Sequence, residues 1–354
     1  MAEACLVLVL IGITAYAVLG GADFGGGFWD LTAGGDERGG RVRGMVQRSM
    51  SPVWEANHVW LIFVLVMVWT AFPVAFGSIF STLQIPLFLA AIGIIFRGTA
   101  FALRGHAATI REARFIGATF ALSSVIVPFC FGATIGAVAS GRVPVGNQAG
   151  DTVSSWLNPT GVLIGVLAIL TGAYLAAVFL AGDSVDAGLP DLARAFRARA
   201  LGAGVVTGIV ALAGLLVLRS DARALFDGLT SGGGLVAVLV SGAAGAVTLW
   251  LVWTERYALA RWSSVVAVAA VTVGWVLAQS PYVLPPQLTL DEAAASDATL
   301  ATLLVGMGIG ATVLVPSLAY LYRLVLAGRL QHEFEPLDQR FRPIPAPDDP
   351  KASR

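Results

Sequence analysis

The stretch "SPVWEANHVWLIFVLVMVW", residues 51–69, sets Glu55, Asn57 and His58 at the start of a run that then has almost no polar side chains. Such a run reads as a helix surrounded by something other than water, and the rest of the chain repeats the pattern. Of 354 residues, 57% are hydrophobic and only 12% charged, and mean hydropathy is +0.80. A water-soluble globule of this length does not have that balance, so the chain is expected to be an all-α integral membrane protein. The 22 basic and 22 acidic residues cancel, which leaves no general attraction for nucleic acid.

A spanning helix needs roughly 20 mostly apolar residues. On that criterion nine spans are expected, in two bundle-like halves: Ala4–Leu31, Ser51–Phe76, Gly77–Leu103, Phe115–Ser140, Asn158–Ala181, Ala200–Leu218, Gly233–Trp253, Trp262–Val283 and Thr299–Leu326. Asn158 before Pro159 has the form of a helix N-cap, and Thr289 with Glu292 that of a capping box just before the last span. Ser220–Gly234 reads as a short outer helix and Pro281–Asp297 as an outer loop. Residues 1–330 are expected to form one membrane unit, followed by a Pro-rich, mobile cytoplasmic tail at 331–354. "MAEACLVLVLIG" lacks a basic leader region, so the first segment is expected to be a retained span. Cys5 and Cys130 lie far apart in apolar segments and read as small apolar packers.

Arginine and lysine near span ends stay on the cytoplasmic side. The connections after spans one, three, five and seven, together with the C-terminal segment, hold 19 basic residues, from Arg38 to Arg354; the opposite connections hold 3, Arg142, Arg219 and Arg223. That asymmetry predicts the N-terminus outside and the C-terminus in the cytoplasm. Asp23 in span one then falls at the same membrane level as Trp54, Glu55, Asn57 and His58 at the start of span two, and Arg97 near the end of span three. On a helix, Glu55 and His58 are three apart and Trp54 and His58 four apart, so they share one side. Arg97 is placed to neutralise a carboxylate, and Gly20, Gly21, Gly25, Gly26 and Gly27 strip span one of side chains so that another backbone can approach.

Ionisable groups inside spans are rare and mark proton or substrate paths, which makes Asp23, Glu55 and His58 the expected proton pathway. The plainer alternative, interfacial anchoring, fits Trp54 and Arg97 taken singly. Gln84, Ser123, Ser124, Thr134, Thr171 and Gln279 read as packing groups, and His106 and His332 as solvated ones. There is no HExxH, P-loop, dinucleotide fingerprint or nucleophile elbow, and no metal-ligand cluster, so redox cofactors would have to sit in another chain.

Five quoted stretches together resemble one family: "GADFGGGFWDL" (21–31), "SPVWEANHVWLI" (51–62), "FPVAFGSIFSTLQIPLFLAAIGIIFRGTAFALR" (72–104), "WLNPTGVLIGVLAILTGAYLAA" (156–177) and "SPYVLPPQLTLDEAAASDATLATLLVGMGIGATVLVPSLAYLYR" (280–323). They are similar to subunit II of the bd-type quinol oxidases, and the likeness runs to about Arg329. The resemblance implies a bacterial cell-membrane subunit without haem of its own, paired as a heterodimer with a haem-bearing subunit I that holds haems b and d and oxidises quinol. It implies that this subunit steadies its partner and supplies a cytoplasmic proton route. Glu55 matches the motif carboxylate, Asp23 the first-span aspartate and Phe96 with Arg97 the FR dipeptide, while Trp54, Asn57 and Trp60 complete the motif. Family members often carry an acid where Gly20 stands, and an aromatic residue where Ala22 stands. A structural quinone and small single-span accessory subunits occur in some relatives; no residue here locates either. Two other functions compete, a proton-coupled secondary transporter using the same three residues and a purely structural partner.

Overall fold

The computed structural model describes residues 1–34, 36–50, 54–104, 107 and 109–326, with the side chains of 36–38, 55–56, 110, 322 and 325–326 outside that description. His106, His332 and the expected tail at 331–354 therefore lie outside the described residues, as does the Glu55 side chain. Apart from one two-stranded ribbon, the regular structure among the described residues is helical. Among the described residues eight helices are long and apolar enough to cross a membrane, or nine if one bent pair counts as a single span.

The first span is a composite. Helix α1 (Ala2–Ala15) passes into a single wide π turn (Tyr16–Gly20) and continues as α2 (Gly21–Leu31). The arginine-rich segment that follows is itself helical, α3 (Asp36–Met50), where the sequence suggested only a connection. Its apolar residues Val42, Met45, Val46 and Met50 are buried, so it lies against the bundle rather than free of it.

The expected boundary between spans two and three is corrected. Helix α4 (Trp54–Ala71) stops at Phe72, and Pro73 opens a separate helix, α5 (Pro73–Thr82), bent by 119°. A proline cannot donate to the preceding turn and suits a first helical position, so the chain turns there although its composition stays apolar. The third span is then α6 (Gln84–Leu103), shorter than the expected Gly77–Leu103.

The remaining spans are α7 (Ile110–Ala139), α8 (Pro159–Asp186), α9 (Pro190–Asp221), α11 (Gly232–Trp253), α12 (Tyr257–Gln279) and α14 (Asp297–Leu326), with the short α10 (Arg223–Leu229) after α9. Asn158 caps α8, its side chain accepting from Gly161 N at 2.8 Å. The Thr289–Glu292 capping box is present, but it opens a four-residue helix, α13 (Leu290–Ala293), rather than the last span. The supposed outer loop before it holds the ribbon of β1 (Tyr282–Leu284) and β2 (Leu288–Thr289).

Helix α8 is the pivot of the packing, because its Gly172, Ala173, Ala176, Ala177 and Ala181 are all buried and let neighbours come close. α2 and α7 lie on one flank and α9 on another. The contact between α2 and α8 is backbone to backbone: a Cβ on Gly25 would fall on the Gly172 carbonyl, and one on Gly172 would meet the Gly21 carbonyl oxygen at 2.7 Å. This close approach is the use expected of the span-one glycines. It fixes the height of the residues between them, including Asp23.

Candidate functional site: a buried ion pair beside a wide helical turn

Asp23 is 3% exposed and Arg97 2%, and Arg97 Nη1 lies 2.8 Å from Asp23 Oδ2. A second bond ties Arg97 to the same residue, since Nη2 donates to the Asp23 backbone carbonyl at 3.1 Å. Nε donates to Ser124 Oγ on α7 at 3.0 Å, and Ser124 in turn donates to the Phe120 carbonyl at 2.7 Å. The guanidinium sits 4.8 Å from the ring centres of both Phe24 and Phe120. Arginine keeps its charge in such a place because its planar cation stacks on rings and is weakly hydrated.

Asp23 is less well provided. Its Oδ2 is within ion-pair distance of Arg97, yet neither carboxylate oxygen has a hydrogen-bond donor in line, so the contact is Coulombic and poorly directed. A buried carboxylate commonly collects several donors. Here the charge is balanced and the lone pairs are left open.

His58 packs on Phe24, the ring that carries the Arg97 guanidinium. Its ring makes edge contacts with Tyr16, Phe24 and Trp54 at centroid distances of 6.3, 6.2 and 6.1 Å, and Nδ1 lies 2.8 Å from the Trp54 carbonyl oxygen. Trp54 and His58 thus meet as their four-residue spacing predicts, whereas the expected Glu55–His58 pairing falls outside the described side chains. Asn57 is buried and donates through Nδ2 to the Leu19 carbonyl, inside the wide turn, at 3.3 Å. Its Oδ1 has no partner, and neither does Trp60 Nε1. Phe96 is 54% exposed, so of the FR dipeptide it is Arg97 that joins the site.

A second ion-pair layer follows two helical turns further along. Asp30 Oδ2 accepts from Arg104 Nη2 at 2.5 Å, and Arg43 Nε on α3 lies 3.5 Å from Oδ1. With its amide oxygen turned toward Arg104, Gln47 accepts from Nε at 2.9 Å. Trp29 Nε1 donates to the Ala173 carbonyl at 2.8 Å, locking the end of α2 to α8. Asp30, Arg104, Ser124 and Tyr16 were not singled out as site residues from the sequence. Asp30 and Arg104 look like ordinary span-end charges there, and a lone serine or tyrosine in an apolar run gives no sign of its neighbour.

At the other end of the bundle Arg142 makes two bonds to Asp221, at 3.0 and 2.7 Å, and Asp221 also accepts from the Thr160 hydroxyl at 2.5 Å. This clasp joins α8 and α9 to the loop after α7. Among the described residues no three His, Cys, Asp or Glu side chains gather closely enough to hold a metal ion. His58, the only histidine among them, has the rings of Tyr16, Phe24 and Trp54 about it.

Comparison with known proteins agrees with the architecture. Over 322 residues the chain is 22% identical to a Bacillus subtilis (strain 168) protein provisionally named cytochrome bd menaquinol oxidase subunit II, covering 88% of this chain and 91% of that one. It is 25% identical over 216 residues to the cytochrome bd ubiquinol oxidase subunit 2 of the same organism, covering 61% of this chain and 62% of that one. Its fold matches a chain of the bd oxidase from Geobacillus thermodenitrificans with a TM-score of 0.72 at 11% identity, covering 92% of this chain and 98% of that chain. The model of the cytochrome bd terminal oxidase subunit II family matches residues 1–325, and the chain belongs to that family, as a multi-pass bacterial membrane subunit of an oxidoreductase complex.

Proposed function

We propose that this chain is the non-haem subunit of a bd-type quinol oxidase and that it conducts protons from the cytoplasm toward the place where a haem-bearing subunit I reduces oxygen. In this reading it crosses the membrane nine times in two bundle-like halves, with the N-terminus outside and the C-terminus inside. The 19 to 3 distribution of basic residues supports that orientation. The B. subtilis relatives are named for menaquinol and for ubiquinol, which supports a quinol as electron donor without choosing one. Haems b and d, when bound, supply the electron transfer and oxygen chemistry in the partner; a structural quinone and accessory subunits have no assigned residues in this chain.

One observation carries the proton route: Asp23 is a carboxylate sunk in an apolar bundle with its charge countered by Arg97 and its oxygens hydrogen-bonded to nothing. A group that only needed to hold a helix in place would gain more from satisfied lone pairs. A group that takes up and releases a proton needs an oxygen that is free to receive it. Protons would enter at Glu55, at the start of α4, and reach Asp23 beside His58. Arg97, held by Ser124 and stacked between Phe24 and Phe120, keeps a fixed positive charge against Asp23 and so holds the carboxylate in place.

The test uses the complex purified with its partner. Asp23→Asn and Glu55→Gln should each slow quinol-driven oxygen consumption and proton uptake while haem content and subunit association stay parental. Parental turnover in both variants would refute the route and leave a structural role.

A further inference from the structure

Arg97 and Arg104 of α6 each meet a carboxylate on α2, and both pairs are offset by the same 74 residues, Asp23 with Arg97 and Asp30 with Arg104. A constant offset means that α2 and α6 run in the same direction and stay in register from one pair to the next. On α2 the face that carries the acids reads Asp23, Gly27, Asp30. On α6 the matching face reads Arg97, Phe101, Arg104, with the same steps of four and then three residues.

Phe120 of α7 lies against both pairs. It is 1% exposed, and the guanidinium carbons of Arg97 and Arg104 lie 4.8 and 5.1 Å from the centre of its ring. Gly27 makes the room on the α2 side, since a Cβ there would stand 2.1 Å from Ser124 Oγ and 3.4 Å from the Phe120 ring. Phe101 backs the ring from α6, with centres 6.2 Å apart. Phe120 also reaches Arg97 a second way, because its backbone carbonyl accepts from Ser124 Oγ, which accepts from Arg97 Nε. One buried ring thus carries two cations, each facing its own carboxylate, and cation–ring attraction is strongest where water is absent. Should one carboxylate lose its charge, its arginine faces the other across a shared ring with that charge uncancelled. Arg43, the other cation near Asp30, has a side chain 27% exposed and is screened by water.

We propose that Phe120 is a positioning residue for the Asp23–Arg97 pair, and that by carrying both guanidiniums it couples the Asp30–Arg104 pair to Asp23. An unbalanced charge in the second layer then slows proton delivery through the first. The coupling stands on the two pairs and their shared ring; its effect on turnover rests on the proposed proton route.

The test uses the complex co-expressed with its partner, with oxygen consumption measured over a quinol series. Asp30→Asn leaves Arg104 unbalanced and should lower kcat roughly tenfold, the weight of one unit charge about 10 Å, or two helical turns, from Asp23 at a protein's effective dielectric. The KM for quinol and the haem content should stay parental. Adding Arg104→Gln removes the leftover charge and should return kcat to within about twofold of the parent, although the structure has then lost more contacts. Parental kcat in Asp30→Asn overturns the coupling, and so does a double variant no faster than Asp30→Asn. For the ring, Phe120→Met keeps a similar apolar bulk without a π face, whereas Phe120→Tyr keeps the face and adds an oxygen to a sealed site. Positioning predicts that Tyr retains more activity than Met; equal losses or the reverse order assign Phe120 to packing alone and overturn that role. Should neither Phe120 variant assemble, the Asp30 and Arg104 variants still decide the coupling. If Asp23→Asn itself turns over at the parental rate, it is the proton route that has failed. Thermal midpoints then decide the coupling: the destabilisation by Asp23→Asn must differ between the Asp30→Asn and parental backgrounds, and equal shifts overturn it.

Discussion

Arg97 holds residue 23 in two ways, by a charge contact with the carboxylate and by a hydrogen bond to the backbone carbonyl of the same residue. The charge and the helix that bears it are therefore fixed together, and removing the cation leaves an anion with no counter-charge in an apolar surrounding.

Arg97→Gln should cost about 3–5 kcal/mol and reduce the yield of assembled complex sharply, because a buried carboxylate is left alone. Asp23→Asn should be milder, since the arginine retains Ser124, a carbonyl and two ring faces. The double variant should recover assembly beyond Arg97→Gln alone. Thermal midpoints of the three purified complexes check the order.

Gly25→Ala should destabilise by about 1–3 kcal/mol or prevent assembly, because the added methyl meets the Gly172 carbonyl of α8 and two backbones would have to part. Gly242→Ala on α11, where a Cβ meets nothing within 4 Å, should be neutral or gain roughly 0.5–1 kcal/mol of helix propensity. Equal behaviour of the two variants in a thermal-shift assay would contradict the packing described for α2.

Cys5 and Cys130 are both buried, so an introduced cysteine reports its own side of the membrane. In intact cells Ser154→Cys should react with an impermeant maleimide, and Gly188→Cys should react only after the membrane is opened. The reverse pattern would invert the topology.

Asp221→Asn removes the charge that Arg142 grips with two bonds, in a place that is only partly exposed. A loss of about 1–3 kcal/mol is expected, with proton uptake unchanged because the clasp lies away from Asp23. Arg142→Gln should cost a similar amount, and the double variant less than the sum. Additive losses in a denaturation series would show that the two residues do not act as a pair.

Glu292 is held below its ordinary carboxylate range by its hydrogen bonds with the Thr289 backbone and side chain. A depressed pKa in the folded state means the capping box adds stability above the ordinary value of 4.5, and that this is lost as pH falls through the lower folded value. Glu292→Gln should flatten that acid limb in melting curves taken across the window, and an unchanged limb would exclude a part for the capping box.

Much of the fold was legible because the bilayer demands long apolar helices, and residues such as Asp23 and Arg97 stand out in them. Their pairing was legible only as a shared depth; the two are 74 residues apart, and nothing local states that they touch. The break at Phe72–Pro73 was obscured because hydropathy continues smoothly across it, and only the proline records the turn. Tyr16 was overlooked and Ser124 was read only as a packing group, since a hydroxyl in a span usually bonds its own backbone. The wide turn that aims Tyr16 inward leaves no mark in the composition.

The bend between α4 and α5 breaks the ladder of backbone bonds at the end of α4, and the Ala71 carbonyl is instead met by the amide of Ala295, at 2.8 Å. Ala71 is buried, and a buried carbonyl left unmet is costly, so the second span is not complete until a residue more than two hundred positions later has been synthesised. Insertion of the early helices is therefore provisional, and a ribosome that stops before Ala295 leaves a chain with an open seam. Pulse-labelled chains truncated just before that residue should be degraded faster than chains ending just after it, whichever partner is present.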